Sequence, residues 1–218
     1  MPVKSVKNKM SVLVTGGAGF IGSHLVDALV KKGWDVKIAD NLSTGKKENI
    51  NPAAEFHKAD IRDFSKIRPL FEGVDYVFHL AAQARIQPSI ENPLESHNCN
   101  ATGTLNVLTA SRDAKVKKVI YSASSSCYGD QKIMPLKETM MPHLKNPYAL
   151  QKYAGELYCR LFWELYGLPT VCLRYFNVYG PRQLTEGAYA TVVGIFLKQR
   201  AASEPLTIVG NGKNRRDY

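Results

Sequence analysis

The sequence predicts an α/β fold built on a doubly wound parallel sheet, and three observations carry the prediction. Short apolar, β-branched runs alternate along the chain with stretches whose apolar residues recur at helical spacing, the signature of repeated βαβ units. The first run, Val12-Leu13-Val14, stops abruptly in Thr15-Gly16-Gly17-Ala18-Gly19-Phe20-Ile21-Gly22, after which Ile21, Leu25, Ala28 and Leu29 share one helical face. The second run, 36–39, ends in Asp40, an acid at roughly the 20-residue distance expected behind a phosphate-binding turn.

The candidate strands, in order, are 12–14, 36–39, 55–58, 76–80, 119–123 and 171–175, each a short apolar or β-branched run bounded by polar or small residues. Helices are expected to begin near Gly19, Phe64, Pro93 and Tyr148, with a later one over 189–199. Right-handed crossovers between such strands put ligands at the carboxyl ends of the sheet. This divides the chain into a basic tail at 1–9, a nucleotide-binding domain at 10–180 and the start of a smaller domain at 181–218.

The glycines have distinct jobs in this reading. Gly16 takes the turn, Gly19 lets the backbone approach a phosphate and Gly22 lets the helix lie close to the strand, so that a pyrophosphate sits on the N–H groups of the helix start beside Phe20 and Ile21. A glycine-rich βα turn without ligand is the alternative, but the strand, the helix and Asp40 supply the context of a dinucleotide site. Asp60-Ile61 follows the third strand, where the acid would meet an adenine edge and the isoleucine its face; a helix-capping Asp is equally compatible. His79-Leu80-Ala81-Ala82-Gln83 closes the fourth strand with small residues, as backbone passing beside a cofactor requires. Asn100 interrupts an apolar helix, either toward the cofactor or as a satisfied packing amide.

Composition narrows the class. The chain has 218 residues, 44% of them hydrophobic and 22% charged, enough for one large globular domain with a core. The net charge of +10 is spread along the sequence without nucleic-acid motifs, so an anionic small substrate and a dinucleotide account for it better than nucleic acid. No apolar run reaches the roughly 18 residues of a membrane span, and the first nine residues lack the apolar core of a secretory signal, which together point to the cytoplasm. Cys99, Cys127, Cys159 and Cys172 are isolated, and no metal-binding spacing is present.

The chemistry gathers after the fifth strand. Ser122-Ala123-Ser124-Ser125-Ser126-Cys127-Tyr128-Gly129 leads into a long loop, and Pro147 then places Tyr148 in the first turn of a helix with Lys152 one turn on, on the same face. An ammonium beside a phenol favours the phenolate, and the Ser124 hydroxyl can bridge phenolate and substrate. The three residues therefore form a base, its tuner and an orienting donor for taking a proton from an alcohol while hydride passes to a nicotinamide.

With these motifs in place, the chain resembles the extended short-chain dehydrogenase/reductases, and within them the UDP-sugar 4-epimerases, from Met10 to Tyr218. The segments that carry the resemblance are the glycine turn, Asp40-Asn41-Leu42-Ser43-Thr44-Gly45, Asp60-Ile61, His79-Leu80-Ala81-Ala82, the Ser124 to Gly129 stretch, Tyr148 with Lys152, Leu173-Arg174-Tyr175-Phe176-Asn177-Val178-Tyr179-Gly180-Pro181-Arg182 and Arg215-Arg216-Asp217-Tyr218. The resemblance implies a Rossmann-type sheet and a bound NAD held by the glycine turn, by Asp40, Asn41, Ser43, Thr44 and Gly45, by Asp60 and Ile61, by Leu80, Ala81, Ala82 and Gln83, and by Asn100, Ser122, Tyr148, Lys152 and Tyr175. It also implies a UDP-sugar substrate met by Arg85, Ser124, Ser125, Ser126, Tyr148, Asn177 and Arg216, with Ser124, Tyr148 and Lys152 as the catalytic set. The implied reaction oxidises C4 of the sugar, lets the 4-keto sugar rotate and returns hydride to its other face.

Members of that family usually continue for roughly a hundred residues past the Arg-Asp-Tyr motif. The present sequence stops inside it, as a fragment or as a shorter product that binds NAD without turnover. A 4,6-dehydratase or UDP-glucuronate decarboxylase of the same superfamily is the nearest rival, yet Ser125 and Ser126 stand where the dehydratases carry an Asp-Glu pair. A non-catalytic NAD-binding sensor is a rival of a different kind. The helices around 94–110 and 148–166 are apolar on more than one face: Leu150, Ala154, Leu157 and Leu161 on one side of the second, Tyr158, Phe162 and Leu165 on another. A homodimer through a four-helix bundle, which the resemblance also implies, would cover the spare face.

Overall fold

The structure, a computed structural model, describes residues 9–185, 192–208 and 210–213. Its centre is a six-stranded, wholly parallel sheet in the order β3-β2-β1-β4-β5-β6, formed by Ser11–Thr15, Asp35–Asp40, Glu55–Lys58, Tyr76–His79, Lys118–Ser124 and Thr170–Tyr175. All six expected strands are present within a residue or so at each end. The chain winds outward from β1 to β3, returns to the other side of β1 as β4 and continues outward to β6, which leaves a crevice at the carboxyl ends of β1 and β4.

Strand β1 is buried on both faces, so its side chains alternate between two cores. Val12 and Val14 pack with Val26 and Leu29 of helix α1 (Phe20–Lys31), while Leu13 packs with Val77, Val119, Tyr121 and the helices on the opposite face. Those helices are α2 (Phe64–Ile67), α3 (Ile86–Glu91), α4 (Pro93–His97), α5 (Gly103–Asp113) and α6 (Pro147–Tyr166), with a π-helical turn at Asn98–Thr102 joining α4 to α5. Helix α7 (Val192–Ala201) follows; the expected start of this helix at 189–191 lies outside the described residues. No helix among the described residues is long and apolar enough to cross a membrane.

Turn and capping chemistry set the boundaries. Asn146 accepts a hydrogen bond from the Ala149 N–H at 2.9 Å, Pro147 occupies the first helical turn, and Gly167 closes α6 in the left-handed region. Helix α6 turns Ala149, Lys152, Gly155, Cys159 and Phe162 to the interior and leaves Leu150, Leu161, Trp163 and Leu165 exposed. Phe162 and Leu165, grouped on one side from periodicity, therefore separate: Phe162 lies over the sheet, while Leu165 stands in the last turn, 67% exposed. Helix α3, absent from the expected elements, is short and interrupted by Pro88, so it leaves no periodic trace.

Candidate active site

A cleft of about 990 Å³ opens along the carboxyl ends of the strands, at the size limit of ordinary small-molecule sites. Its floor is the β1–α1 turn. Gly16 has φ +74°, and a Cβ there would meet the Ala81 nitrogen at 2.7 Å; a Cβ on Gly22 would stand 2.1 Å from the Gly16 carbonyl oxygen. Strand, turn and helix thus meet at backbone distance. Gly19 begins α1 without a side-chain cap, which leaves the first-turn N–H groups able to hold an anion.

Asp40 ends β2 with its side chain buried. One oxygen accepts from the Ala18 N–H at 3.0 Å and the other from the Leu42 N–H at 2.8 Å, so the carboxylate both shapes the glycine turn and keeps lone pairs free. Asn41, Ser43, Thr44 and Ile61 line the same end of the cleft, and Gly45 lies against Asp40, where a Cβ would be 2.9 Å from its carboxylate. Asp60, beside them, receives Arg62 through Nε (2.9 Å) and Nη2 (2.7 Å) and Asn41 through Nδ2 (2.9 Å). The Arg62 guanidinium holds the Asp60 carboxyl far below the usual carboxylate range, and Arg62 in turn pairs with Glu95 of α4. Capping of α2 falls to Asp63, which accepts from the Lys66 N–H at 3.2 Å.

Leu80, Ala81 and Ala82 line the middle of the cleft, held from behind by a directed chain of hydrogen bonds. The Thr104 hydroxyl donates to the Asn100 carbonyl (2.6 Å), which leaves it to accept from His79 Nε2 (3.0 Å); His79 Nδ1 then accepts from the Thr15 hydroxyl (2.7 Å). Burial, aided by the Lys152 charge, pushes His79 down to about 3 and keeps it neutral. Asn100 lies behind the lining: its oxygen accepts from the Gln83 N–H (2.8 Å), and its amide donates to the Gln83 carbonyl (3.0 Å) and to Gln151 (2.9 Å). Asn100 thereby fixes the backbone of Gln83 next to the cleft wall.

At the other end stand Ser122, Ser124, Ser125, Ser126, Tyr148, Tyr175 and Asn177. The Ser122 hydroxyl is buried without a hydrogen-bond partner, an orphan on the cleft wall. Tyr148 is anchored through its backbone, whose N–H donates to Ser89 of α3 at 3.1 Å, and its side chain lines the cleft together with Ser124. Burial raises the Tyr148 phenol above its ordinary value, opposed by the neighbouring Ser124 hydroxyl and by the charge of Arg85.

Lys152 follows Tyr148 one helical turn on. Its ammonium is buried one helical turn deeper, where it donates to the Ser122 carbonyl at 2.9 Å and lies 5.1 Å from the centre of the Tyr121 ring. Burial pushes it down to about 8.

Sequence reasoning also left out several residues along the cleft. Asp130 pairs with Lys145 at the mouth, and Phe176 stacks 6.3 Å from Tyr128, whose ring carries the Arg174 guanidinium at 4.6 Å. Arg174 is itself clamped by Glu156 through bonds of 2.9 and 2.8 Å. The charge pairs are long-range and carry no spacing signal. Arg85, expected at the substrate from the sequence, lines the same cleft and takes φ +96° at the start of α3. Arg216 lies outside the described residues.

A model of the NAD-dependent epimerase/dehydratase family matches residues 12–218. The UDP-glucose 4-epimerase of Mycolicibacterium smegmatis is 41% identical over 216 residues, covering 96% of this chain and 69% of that protein. Among solved structures, the UDP-glucose 4-epimerase of Thermotoga maritima with UDP-glucose superposes with a TM-score of 0.93 at 44% identity, covering 96% of this chain and 69% of that one. The UDP-N-acetylglucosamine 4-epimerase of Methanobrevibacter ruminantium, in complex with UDP-N-acetylmuramic acid, gives 0.92 at 43% identity, over 96% and 68%.

Proposed function

The chain belongs to the NAD-dependent epimerase/dehydratase family, and from that premise we propose that it is an NAD-dependent UDP-sugar 4-epimerase. The observation that carries the reading is one continuous cleft with the glycine turn at one end and Tyr148 and Ser124 together at the other.

The residues fit NAD. The turn approaches at backbone distance because Gly16 and Gly22 lack side chains, α1 begins uncapped, and the orphan Ser122 hydroxyl awaits a polar partner on the wall. Gly16, Gly19, Phe20, Ile21 and Gly22 would hold the pyrophosphate, Asp40 with Asn41, Ser43, Thr44 and Gly45 the adenine ribose, and Asp60 with Ile61 the adenine. Leu80, Ala81, Ala82, Gln83, Asn100, Ser122, Lys152 and Tyr175 would surround the nicotinamide half. NAD, when bound, supplies the acceptor and donor of hydride.

The chain's own residues do the rest. Tyr148 takes the proton of the sugar 4-hydroxyl and returns it to the 4-keto oxygen once the rotated sugar presents the other face of C4, while Ser124 holds that oxygen by a hydrogen bond. Arg85, Asn177 and Arg216 would meet the UDP moiety, and Ser125 and Ser126 would border the sugar. Neither serine has useful acidity near neutral pH, so the positions offer no acid or base for elimination at C5 and C6 and hydride return is the favoured exit. Residues from 181 onward would begin a substrate domain. The proposal includes a cytoplasmic location and a homodimer through a four-helix bundle of the helices around 94–110 and 148–166, which would cover exposed apolar side chains such as Leu94, Leu150 and Leu161.

Incubation with UDP-glucose and UDP-N-acetylglucosamine, followed by NMR of the products, tests the reading. Appearance of the galacto epimer supports it, and accumulation of a 4-keto-6-deoxy sugar overturns it.

A further inference from the structure

Arg85 lines the same cleft as Tyr148 with its backbone at φ +96° and ψ +148°, a region that a residue with a Cβ occupies only when its surroundings hold it there. The groups that hold it lie on either side of Arg85 along the chain, and both lead to α6.

Two residues before Arg85, the Gln83 backbone is gripped at both polar atoms: its N–H donates to Asn100 Oδ1 at 2.8 Å and its carbonyl accepts from Asn100 Nδ2 at 3.0 Å. A backbone N–H only donates and a carbonyl only accepts, so this pair fixes which end of the Asn100 amide is which. The same Nδ2 donates to Gln151 at 2.9 Å, which makes the Gln151 atom its oxygen, and the Ser96 hydroxyl 2.7 Å from that oxygen must donate to it as well. One residue after Arg85, the Ile86 carbonyl accepts from the Ser89 hydroxyl at 2.6 Å, and Ser89 Oγ accepts from the Tyr148 N–H at 3.1 Å. Ser89, Ser96, Asn100 and Gln151 are each no more than 3% exposed. Both ties therefore run through the interior to α6, at Gln151 and Tyr148, and the strained residue lies between them.

We propose that Gln151 and Ser89 are positioning residues that clamp the 83–86 backbone against α6 and so hold Arg85, strained, at the cleft wall, where its side chain is available to the UDP moiety. Gln151 acts through Asn100 rather than on a ligand. Without the clamp, Arg85 returns to ordinary backbone angles and carries its side chain off the wall.

The clamp is tested without ligand. Glycine takes φ +96° freely and alanine does not, and neither carries a guanidinium, so the difference in melting temperature between Arg85→Gly and Arg85→Ala reads the backbone strain alone. In the otherwise unchanged chain the Gly variant melts about 2–6 °C above the Ala variant, the reverse of their usual order. In a Gln151→Leu background, where Asn100 loses its acceptor, the loop relaxes and the two melt together. Ser89→Ala, which deletes a single hydroxyl at the other end of the clamp, narrows the gap in the same way and decides the matter should Gln151→Leu not fold. An Ala variant that melts as high as the Gly variant in the otherwise unchanged chain, or a gap that persists in either background, overturns the proposal. A mere packing role for Gln151 would lower every melting temperature and leave the gap as it was.

That Arg85 serves UDP rests on the proposed function, and calorimetric titration of UDP into the chain tests that part. Gln151→Leu weakens UDP about three- to tenfold where Arg85 is present and leaves it unchanged in the Arg85→Ala chain. Equal weakening in both chains overturns the positioning of Arg85 by Gln151. Absence of UDP binding in the parent chain counts only against the proposed function, and the melting comparison then decides the clamp.

Discussion

Replacing Gly22 with alanine separates a cofactor effect from a stability effect, because the consequence of the added methyl is set by backbone atoms that cannot rotate away. The Cβ would sit 2.1 Å from the Gly16 carbonyl oxygen, 2.9 Å from its carbon and 3.0 Å from Gly17 Cα, against ordinary contacts of 3.4–4 Å. Helix α1 must therefore move by more than an ångström from the turn. Overpacking of that kind costs about 1–3 kcal/mol, offset by up to about 1 kcal/mol of better helix propensity. The N–H groups of the first turn move with the helix, and losing one or two charge-assisted bonds of about 1.5–3 kcal/mol weakens NAD by about ten- to a hundredfold or more.

Gly33→Ala is the matched control. Gly33 has φ +79° with nothing within 4 Å of its Cβ position, so alanine there costs about 1–2 kcal/mol of backbone strain and no contact. Both variants should lose roughly 2–8 °C in Tm by calorimetry. Only Gly22→Ala should lose NAD affinity by isothermal titration. If Gly22→Ala bound NAD within about threefold of the parent, or if both variants weakened it alike, close approach of α1 to the turn would not be what holds the pyrophosphate.

Tyr148→Phe should keep NAD binding and Tm while lowering epimerisation by about a hundredfold or more, and a smaller loss would remove Tyr148 from the role of base. Lys152 is buried with its value pushed from 10.5 down to about 8, so the folded chain resists its proton: the cost is present in full below pH 8 and is relieved as pH rises toward 10.5. The stability of the parent relative to Lys152→Met should then climb by about 3 kcal/mol across that window in denaturant titrations without cofactor, and a flat difference would contradict the burial argument. On the proposed reading Asp40 would accept ribose hydroxyls and repel a phosphate, so NAD should bind more tightly than NADP at moderate salt; equal affinities would refute that assignment. Leu161→Glu, which charges the exposed face of α6, should convert a sedimenting dimer into monomer, and an unchanged dimer would place the contact elsewhere.

The sequence by itself determined the parts of this protein governed by neighbours along the chain. A β-branched run that ends in glycines can only be a strand entering a tight turn, the helical spacing after it can only bury one face, and Pro147 behind Asn146 can only start a helix. The six strands, the α1 turn, Asp40 at the end of β2 and the position of Tyr148 were legible for that reason. Tertiary structure decided the contacts between residues far apart in sequence. Ser89 reaches the Tyr148 N–H from 59 residues away, Arg62 joins Asp60 to Glu95, and Asn100 fixes Gln83 with Gln151 behind it. It also decided the electrostatics of the catalytic pair, because spacing reports which face of a helix a side chain shares, not how deeply it is buried. Lys152 and Tyr148 share a face, yet the lysine is buried under β5 against the Ser122 carbonyl, and burial pushes it down to about 8.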